Sequence, residues 1–156
     1  MANAPVQWSS FGTAIVALTA TSSSTGLMSL STGHMVTGEA YDNSAGYQYC
    51  YIMSRVRGSA AFAAGDYLSG WFLHSLGSNY EDGENATSSG PVRNADFIVP
   101  VRAVAVQQEM AQGPVLLPNG PFKVLMYNLT TKALTTSTGE NEIILYPFND
   151  NVTYTT

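Results

Sequence analysis

The chain has 156 residues, of which only 11% are Asp, Glu, Lys or Arg, whereas an ordinary soluble domain has about a quarter. The hydrophobic fraction of 45% is sufficient for a buried core and argues against a disordered chain. With a formal net charge of −5 and six scattered basic residues, the chain lacks the basic stripe that nucleic-acid binding requires.

The first part of the chain has the residue pattern of strands. β-branched and apolar residues over 12–20 predict a first strand, and residues 27–30 predict a second, short one. A turn-rich stretch is expected around Gly33 and Gly38. Residues 47–57 then alternate between two faces that are both rich in apolar or Tyr side chains. This alternation predicts a strand with one face on the core and the other on a partner.

The middle of the chain continues the pattern. Residues 67–76 predict a strand, and the polar stretch 78–90 predicts the longest loop. Residues 95–106 predict another strand region, in which Pro100 marks an edge or a bulge. Residues 107–112 are expected to form a short helical turn that ends at a Gly-Pro pair.

The last part of the chain contains its clearest strand, at residues 122–128. Alternating residues over 133–137, a Thr-Gly turn at 138–139 and a strand at 141–146 predict a hairpin.

Taken together, these elements predict an all-β fold. No segment of ten or more residues has the 3.6-residue period of an amphipathic helix. About eight short strands separated by Gly, Pro, Ser and Asn clusters predict a sandwich or a barrel. The leading architecture at this length is a single-domain antiparallel β-sandwich of the jelly-roll type. It comprises residues 12–156 and is preceded by an extended N-terminal arm, residues 1–11.

The residue types that carry catalysis or bind metals are sparse and dispersed. His34 and His74 are far apart in sequence and neither has a neighbouring His or Cys, so they do not indicate a zinc site. Cys50 lies within an apolar strand and is expected to be a buried small hydrophobe. The acidic stretch 81–85 does not have the spacing of a calcium loop and is expected to be a solvated turn. We therefore expect no catalytic residue, no metal and no cofactor, and we expect the chain not to be an enzyme.

Aromatic residues are the more informative group. The nine Tyr and two Trp exceed what a small core needs, and both residue types are enriched at protein interfaces. The alternative is that some fill the core and the others lie singly on the surface. The residues predicted to bind a partner are Trp8, Phe11, Tyr47, Tyr49, Tyr51, Trp71 and Tyr80.

The chain is expected to be made in a reducing compartment, the cytoplasm of a host cell. Cys50 is the only cysteine, so no internal disulfide can form. The N-terminal residues lack the basic and apolar regions of a signal peptide, and the apolar run at 13–20 is too short to span a membrane. No membrane partner is expected.

The C-terminal half resembles a known family. Residues 91–100, residues 117–128, the alternating 133–137 and the terminal strand look like the jelly-roll head decoration or cement proteins of tailed bacteriophages, over roughly residues 60–147. The resemblance implies a non-enzymatic virion protein that binds the outside of the capsid as a homodimer or homotrimer. Its partner would be the major capsid protein, and it would clamp adjacent capsomers.

Two other interpretations remain open from the sequence. A carbohydrate-binding β-sandwich would stack Trp71 or Tyr80 on a sugar and bond its hydroxyls with Asn or Asp side chains. A tail or baseplate component would differ from a head decoration protein only in its partner.

Overall fold

The computed structural model describes residues 11–19, 26–77, 79–81 and 90–149. Over these residues it contains nine β-strands and no helix, which confirms the all-β prediction. The strands are β1 (Ile15–Leu18), β2 (Met35–Asn43), β3 (Tyr49–Val56), β4 (Tyr67–Leu76), β5 (Asn79–Tyr80), β6 (Phe97–Pro100), β7 (Gln108–Leu116), β8 (Gly120–Asn128) and β9 (Glu142–Phe148). Of the N-terminal arm predicted at 1–11, only Phe11 lies within the described residues.

The strands form two antiparallel sheets. Sheet I has the order β1-β9-β3-β7, and sheet II has the order β2-β8-β4, with β6 and the two-residue β5 both pairing with the free edge of β4. The chain is thus a rolled hairpin, in which β1 pairs with β9, β2 with β8, β3 with β7 and β4 with β6. This connectivity is that of the jelly roll, which the strand count had predicted.

The core lies between the inner faces of the two sheets. On β3 the even-numbered residues Cys50, Ile52 and Val56 are fully buried, while the odd-numbered residues point outward. Sheet II contributes large aromatic rings, of which Phe72 and Phe122 meet edge to face with centroids 5.7 Å apart. Each such side chain stabilises the fold by about 1.5–3 kcal/mol relative to an exposed position.

Several local predictions were confirmed and others were wrong. Strand β4 has the predicted bounds, and β6 ends at Pro100, as an edge strand with a proline should. The helical turn predicted at 107–112 is wrong, because residues 108–112 belong to β7 and pair with β3. The short strand predicted at 27–30 is also wrong, since the described residues 26–34 form turns and contain no strand.

The turn-rich stretch predicted around Gly38 is in fact the long strand β2. Gly38 stands inside this strand because a side chain there would collide with strand β1: an added Cβ would lie 2.2 Å from the carbonyl oxygen of Ala17. Glycine therefore marks a close approach of two backbones rather than a turn.

The predicted C-terminal hairpin does not form either. Residues 133–137 make a single bridge, from Leu134 to Gly58, and β9 instead inserts between β1 and β3.

Candidate functional site

The outer face of sheet I carries a cluster of aromatic rings, which we call the aromatic face: Phe11, Tyr49, Tyr51, Tyr146 and Phe148. The sequence places these residues together through strand pairing. In the register of β3 with β9, Tyr49 is opposite Phe148 and Tyr51 is opposite Tyr146. Directly opposed and diagonal side chains on one side of a sheet are close enough for their rings to meet.

The rings of the aromatic face pack on one another. Phe148 stacks on Tyr51 with centroids 5.2 Å apart and on Tyr49 at 5.7 Å. Phe11 meets Tyr51 and Phe148 edge to face at 5.9 and 5.7 Å. Pairs of this kind contribute about 0.5–1.5 kcal/mol beyond their buried area. Phe11 nevertheless remains 58% exposed, so the cluster is ordered by its own contacts and still faces solvent.

Apolar side chains extend this surface across the sheet. Leu116 on β7 lies opposite Tyr49 and is 71% exposed. On the other side, Val16 of β1 lies opposite Ile144 of β9 and is also exposed. The outer face of sheet I therefore presents uncharged side chains on all four of its strands.

Charged residues occupy the other end of the sheet, where they neutralise one another. Arg55 of β3 binds Glu109 of β7, with its Nε 2.8 Å from Oε1, and also binds Glu142 of β9. Arg57 pairs with Glu140. The charges thus form a paired border beside the aromatic face rather than a free ionic surface.

The predicted partner-binding residues are divided between different environments. Phe11, Tyr49 and Tyr51 meet in the aromatic face, and Tyr47 lies at its end, half-buried against the core. Together with Tyr49 and Leu116, Tyr47 lines an open groove of about 540 Å³. Trp8 lies outside the described residues.

Trp71 and Tyr80 lie on the opposite sheet, in a small apolar cluster on its outer face. Trp71 is only 6% exposed and packs with Leu73 and Leu125 beneath the segment 90–96. Its indole Nε1 donates a hydrogen bond to the carbonyl oxygen of Arg93, at 3.1 Å. The Tyr80 ring is half-buried against the same cluster.

Lys123 lies over the Tyr80 ring, with its Nζ 4.5 Å from the ring centroid. Neither Trp71 nor Tyr80 therefore presents a free ring face of the kind that the carbohydrate interpretation assigned to them.

Arg93 and Asp96 hold this covering segment against β4. The guanidinium Nη2 of Arg93 donates to the carbonyl oxygen of Phe72 at 2.6 Å, and Asp96 Oδ2 accepts from the Phe72 N–H at 2.7 Å. The two side chains also bind each other. Between the segments of β4 that pair with β5 and with β6, they bond to the backbone groups of Phe72 that a neighbouring strand would otherwise bind. Burial acts to lower the pKa of Arg93, but its bonds to Asp96 and Glu81 outweigh this effect and raise it. The edge of β4 is consequently closed to another strand.

Tyr146 and Phe148 are the members of the aromatic face that sequence reasoning missed. Tyr146 was predicted only as the last residue of a terminal hairpin strand, and Phe148 lies beyond the predicted bounds of that strand. Their alternation in β9 signals that they share one face, but nothing local indicates that β9 pairs with β3 and brings that face to Tyr49 and Tyr51.

Two observations describe the thiol and the possible metal ligands of the described residues. Burial raises the pKa of Cys50 to about 12, so its thiol stays protonated and unreactive at neutral pH. Among the described residues, no group of three or more His, Cys, Asp or Glu side chains converges as metal ligands would. No helix long and apolar enough to cross a membrane occurs in the part of the chain that the structure describes.

Fold and surface together define the class as a jelly-roll β-sandwich with an exposed aromatic face on sheet I. No protein-family model, no curated protein and no solved structure matches the chain.

Proposed function

We propose that this chain is a non-enzymatic structural protein of a virus particle, a decoration protein that binds the outer surface of a tailed-phage head and stabilises contacts between capsomers. The observation that carries the proposal is the aromatic face, in which rings are ordered but still exposed. Two further points support it: the jelly-roll connectivity and the resemblance of residues 60–147 to head decoration proteins.

The composition of the aromatic face suits a protein partner. Interfaces are enriched in aromatic residues and depleted of charge at their centre, and a few central rings supply most of the binding free energy. Here the rings are already held in place by stacking, so little side-chain entropy is lost when a partner covers them. The bordering ion pairs of Arg55 and Arg57 would lie at the rim of such an interface.

The proposed partner is the major capsid protein, and the proposed acting species is a homodimer or homotrimer. An oligomer presents several aromatic faces, so that binding of the first raises the effective concentration of the others. Because the chain would bind the assembled shell and not the dissociated subunits, it would stabilise the shell by mass action.

A matched pair of tyrosines tests the proposal. Tyr51 lies in the aromatic face, while Tyr67 lies on the opposite sheet, and both are 38% exposed. Each is replaced by Ala, and binding to undecorated heads of the virus that encodes the chain is measured by co-sedimentation. We expect Tyr51→Ala to weaken binding at least about tenfold, the loss of one central ring contact of ~1.4 kcal/mol or more. Tyr67→Ala should bind as the unmodified chain does.

Equal binding by both variants would show that the aromatic face is not the surface in contact with the shell. Absence of binding to heads by the unmodified chain would refute the decoration function itself. Isolated tails in the same co-sedimentation assay test the tail or baseplate alternative, and light scattering coupled to size-exclusion chromatography gives the oligomeric state.

A further inference from the structure

A second concave surface lies on the outer face of sheet II, opposite the aromatic face. It is an open groove of about 480 Å³, which we call the sheet II groove. Its floor is Ser69 of β4, which lies opposite Ile98 of β6 and opposite Tyr127 of β8. Tyr67 stands two residues along on the same side of β4, and the segment that contains Asn94 forms a wall. Ser69 is small, whereas its neighbours on β4, β6 and β8 are larger, and this difference in size gives the groove its depth.

The sheet II groove contains polar groups that have no internal partner. Within the described part of the chain, the hydroxyls of Ser69, Tyr67 and Tyr127 and the side-chain amide of Asn94 form no hydrogen bond. Ser69 as a whole residue is almost fully buried, but its hydroxyl is not one of the buried side-chain atoms that lack a partner, so this hydroxyl is open to the groove. These groups are donors and acceptors positioned beside apolar surface, which is the composition of a ligand site.

The charge of the groove limits the kind of ligand. Among the residues that the structure describes, the one charged lining residue is Arg93, and that guanidinium is already bound to Asp96, to Glu81 and to the carbonyl oxygen of Phe72. An ionic ligand would therefore lose its hydration without gaining a free counter-charge. A wholly apolar ligand would leave the hydroxyls of the groove unpaired.

The arrangement of strands also disfavours an extended peptide. Peptides that bind beside a sheet commonly pair with an open strand edge. The edge of β4 that adjoins the groove is occupied by β6 and by the side chains of Arg93 and Asp96. The outer edge of β6 offers only four residues, and the last of them, Pro100, has no N–H to pair with a peptide. The groove therefore offers side-chain hydroxyls, one amide, and apolar surface from the aromatic rings and from Ile98 and Leu129.

From these observations we infer that the sheet II groove binds a neutral oligosaccharide. A sugar ring has C–H faces that pack on aromatic rings, here those of Tyr67 and Tyr127, and equatorial hydroxyls that bond to Ser69 and Asn94. The site differs from the carbohydrate site that the sequence suggested, since Trp71 acts beneath it as support. Because the two outer faces point in opposite directions, a chain attached through its aromatic face would present this groove outward.

Binding of three neutral probes tests the inference. Cellohexaose, maltohexaose and hexa-N-acetylchitohexaose are titrated into the full chain, and binding is followed by calorimetry and by amide chemical-shift changes. We expect at least one probe to bind with a Kd of about 1 mM or tighter. The shift changes should concentrate at Tyr67, Ser69, Asn94 and Tyr127.

Variants then locate the site. Tyr67→Ala and, as a milder change, Asn94→Ala should each weaken binding by about tenfold or more, whereas Tyr51→Ala should leave it unchanged. Thermal melts confirm that each variant is folded. Failure of all three probes to bind, or undiminished binding by the folded Tyr67→Ala and Asn94→Ala variants, would overturn the inference. Head binding uses Tyr51 and sugar binding uses Tyr67, so either function can fail without the other.

Discussion

Asp66 joins two loops that are far apart in the sequence, and its removal should destabilise the fold strongly. A single oxygen, Oδ2, accepts hydrogen bonds from the N–H of Ala63 at 2.9 Å, the N–H of Thr131 at 2.9 Å and the Thr131 hydroxyl at 2.8 Å. Asp66 itself is only 8% exposed. The carboxylate is thus the common acceptor for one turn at the start of β4 and another just after β8.

We expect Asp66→Ala to lower the free energy of unfolding by about 3 kcal/mol. One hydrogen bond to a charged group contributes roughly 1.5–3 kcal/mol, and these three share one oxygen, so they do not add fully. The loss is large against a typical stability of about 5–15 kcal/mol. Urea denaturation followed by circular dichroism measures it. Asp42→Ala, which removes an exposed carboxylate on β2, is the matched control and should change stability by less than about 0.5 kcal/mol.

The same carboxylate should make stability depend on pH. Burial acts to raise the pKa of Asp66, but the bonds from Thr131 and Ala63 and the charge of Lys132 outweigh it, so that the pKa lies below its usual value of 3.8. A carboxylate whose pKa is lower in the folded than in the unfolded state stabilises the fold above the unfolded pKa. That contribution is lost as the pH falls through the folded pKa.

The difference in stability between the unmodified chain and Asp66→Ala should therefore be full at about pH 7 and shrink below about pH 4. A difference under about 0.5 kcal/mol at neutral pH would refute the reasoning. A difference that does not change on acidification would show that the ionised form of Asp66 is not what the two loops bind.

Three further predictions address other parts of the fold. Cys50 should resist a disulfide reagent at about pH 8 and react fully once urea unfolds the chain, because burial raises its pKa to about 12; rapid labelling of the folded chain would contradict this. Gly70→Ala should lower the melting temperature by at least about 5 °C, because the added Cβ would lie 2.1 Å from the Phe97 ring. An unchanged melting temperature would show that the Phe97 ring can move away. Arg93→Met should release the segment 90–96 that covers Trp71 and shift the Trp71 fluorescence to longer wavelength. The measurement uses a Trp8→Phe background, so that Trp71 is the remaining tryptophan. An unshifted spectrum would mean that Asp96 alone holds the segment.

The local sequence was sufficient to predict that several segments of the chain are β-strands. Strands were predicted at 47–57 and at 122–128 from their apolar and aromatic residues, and β3 and β8 occupy these positions. Local reasoning failed at Gly38 because the reason for that glycine is a contact with β1, which is remote in sequence. It failed again at 107–112, where pairing with β3 outweighs any local tendency to turn.

The sequence by itself determined that this protein is an all-β sandwich with few charges and more aromatic rings than its core can hold. Only the tertiary structure decided which rings meet. Tyr146 and Phe148 join Tyr49 and Tyr51 because β9 inserts beside β3, and pairing between strands so distant in sequence leaves no local signal. In the same way, Trp71 is covered because Arg93 and Asp96 hold a remote segment over it, which leaves Tyr67 and Tyr127 to line the open groove.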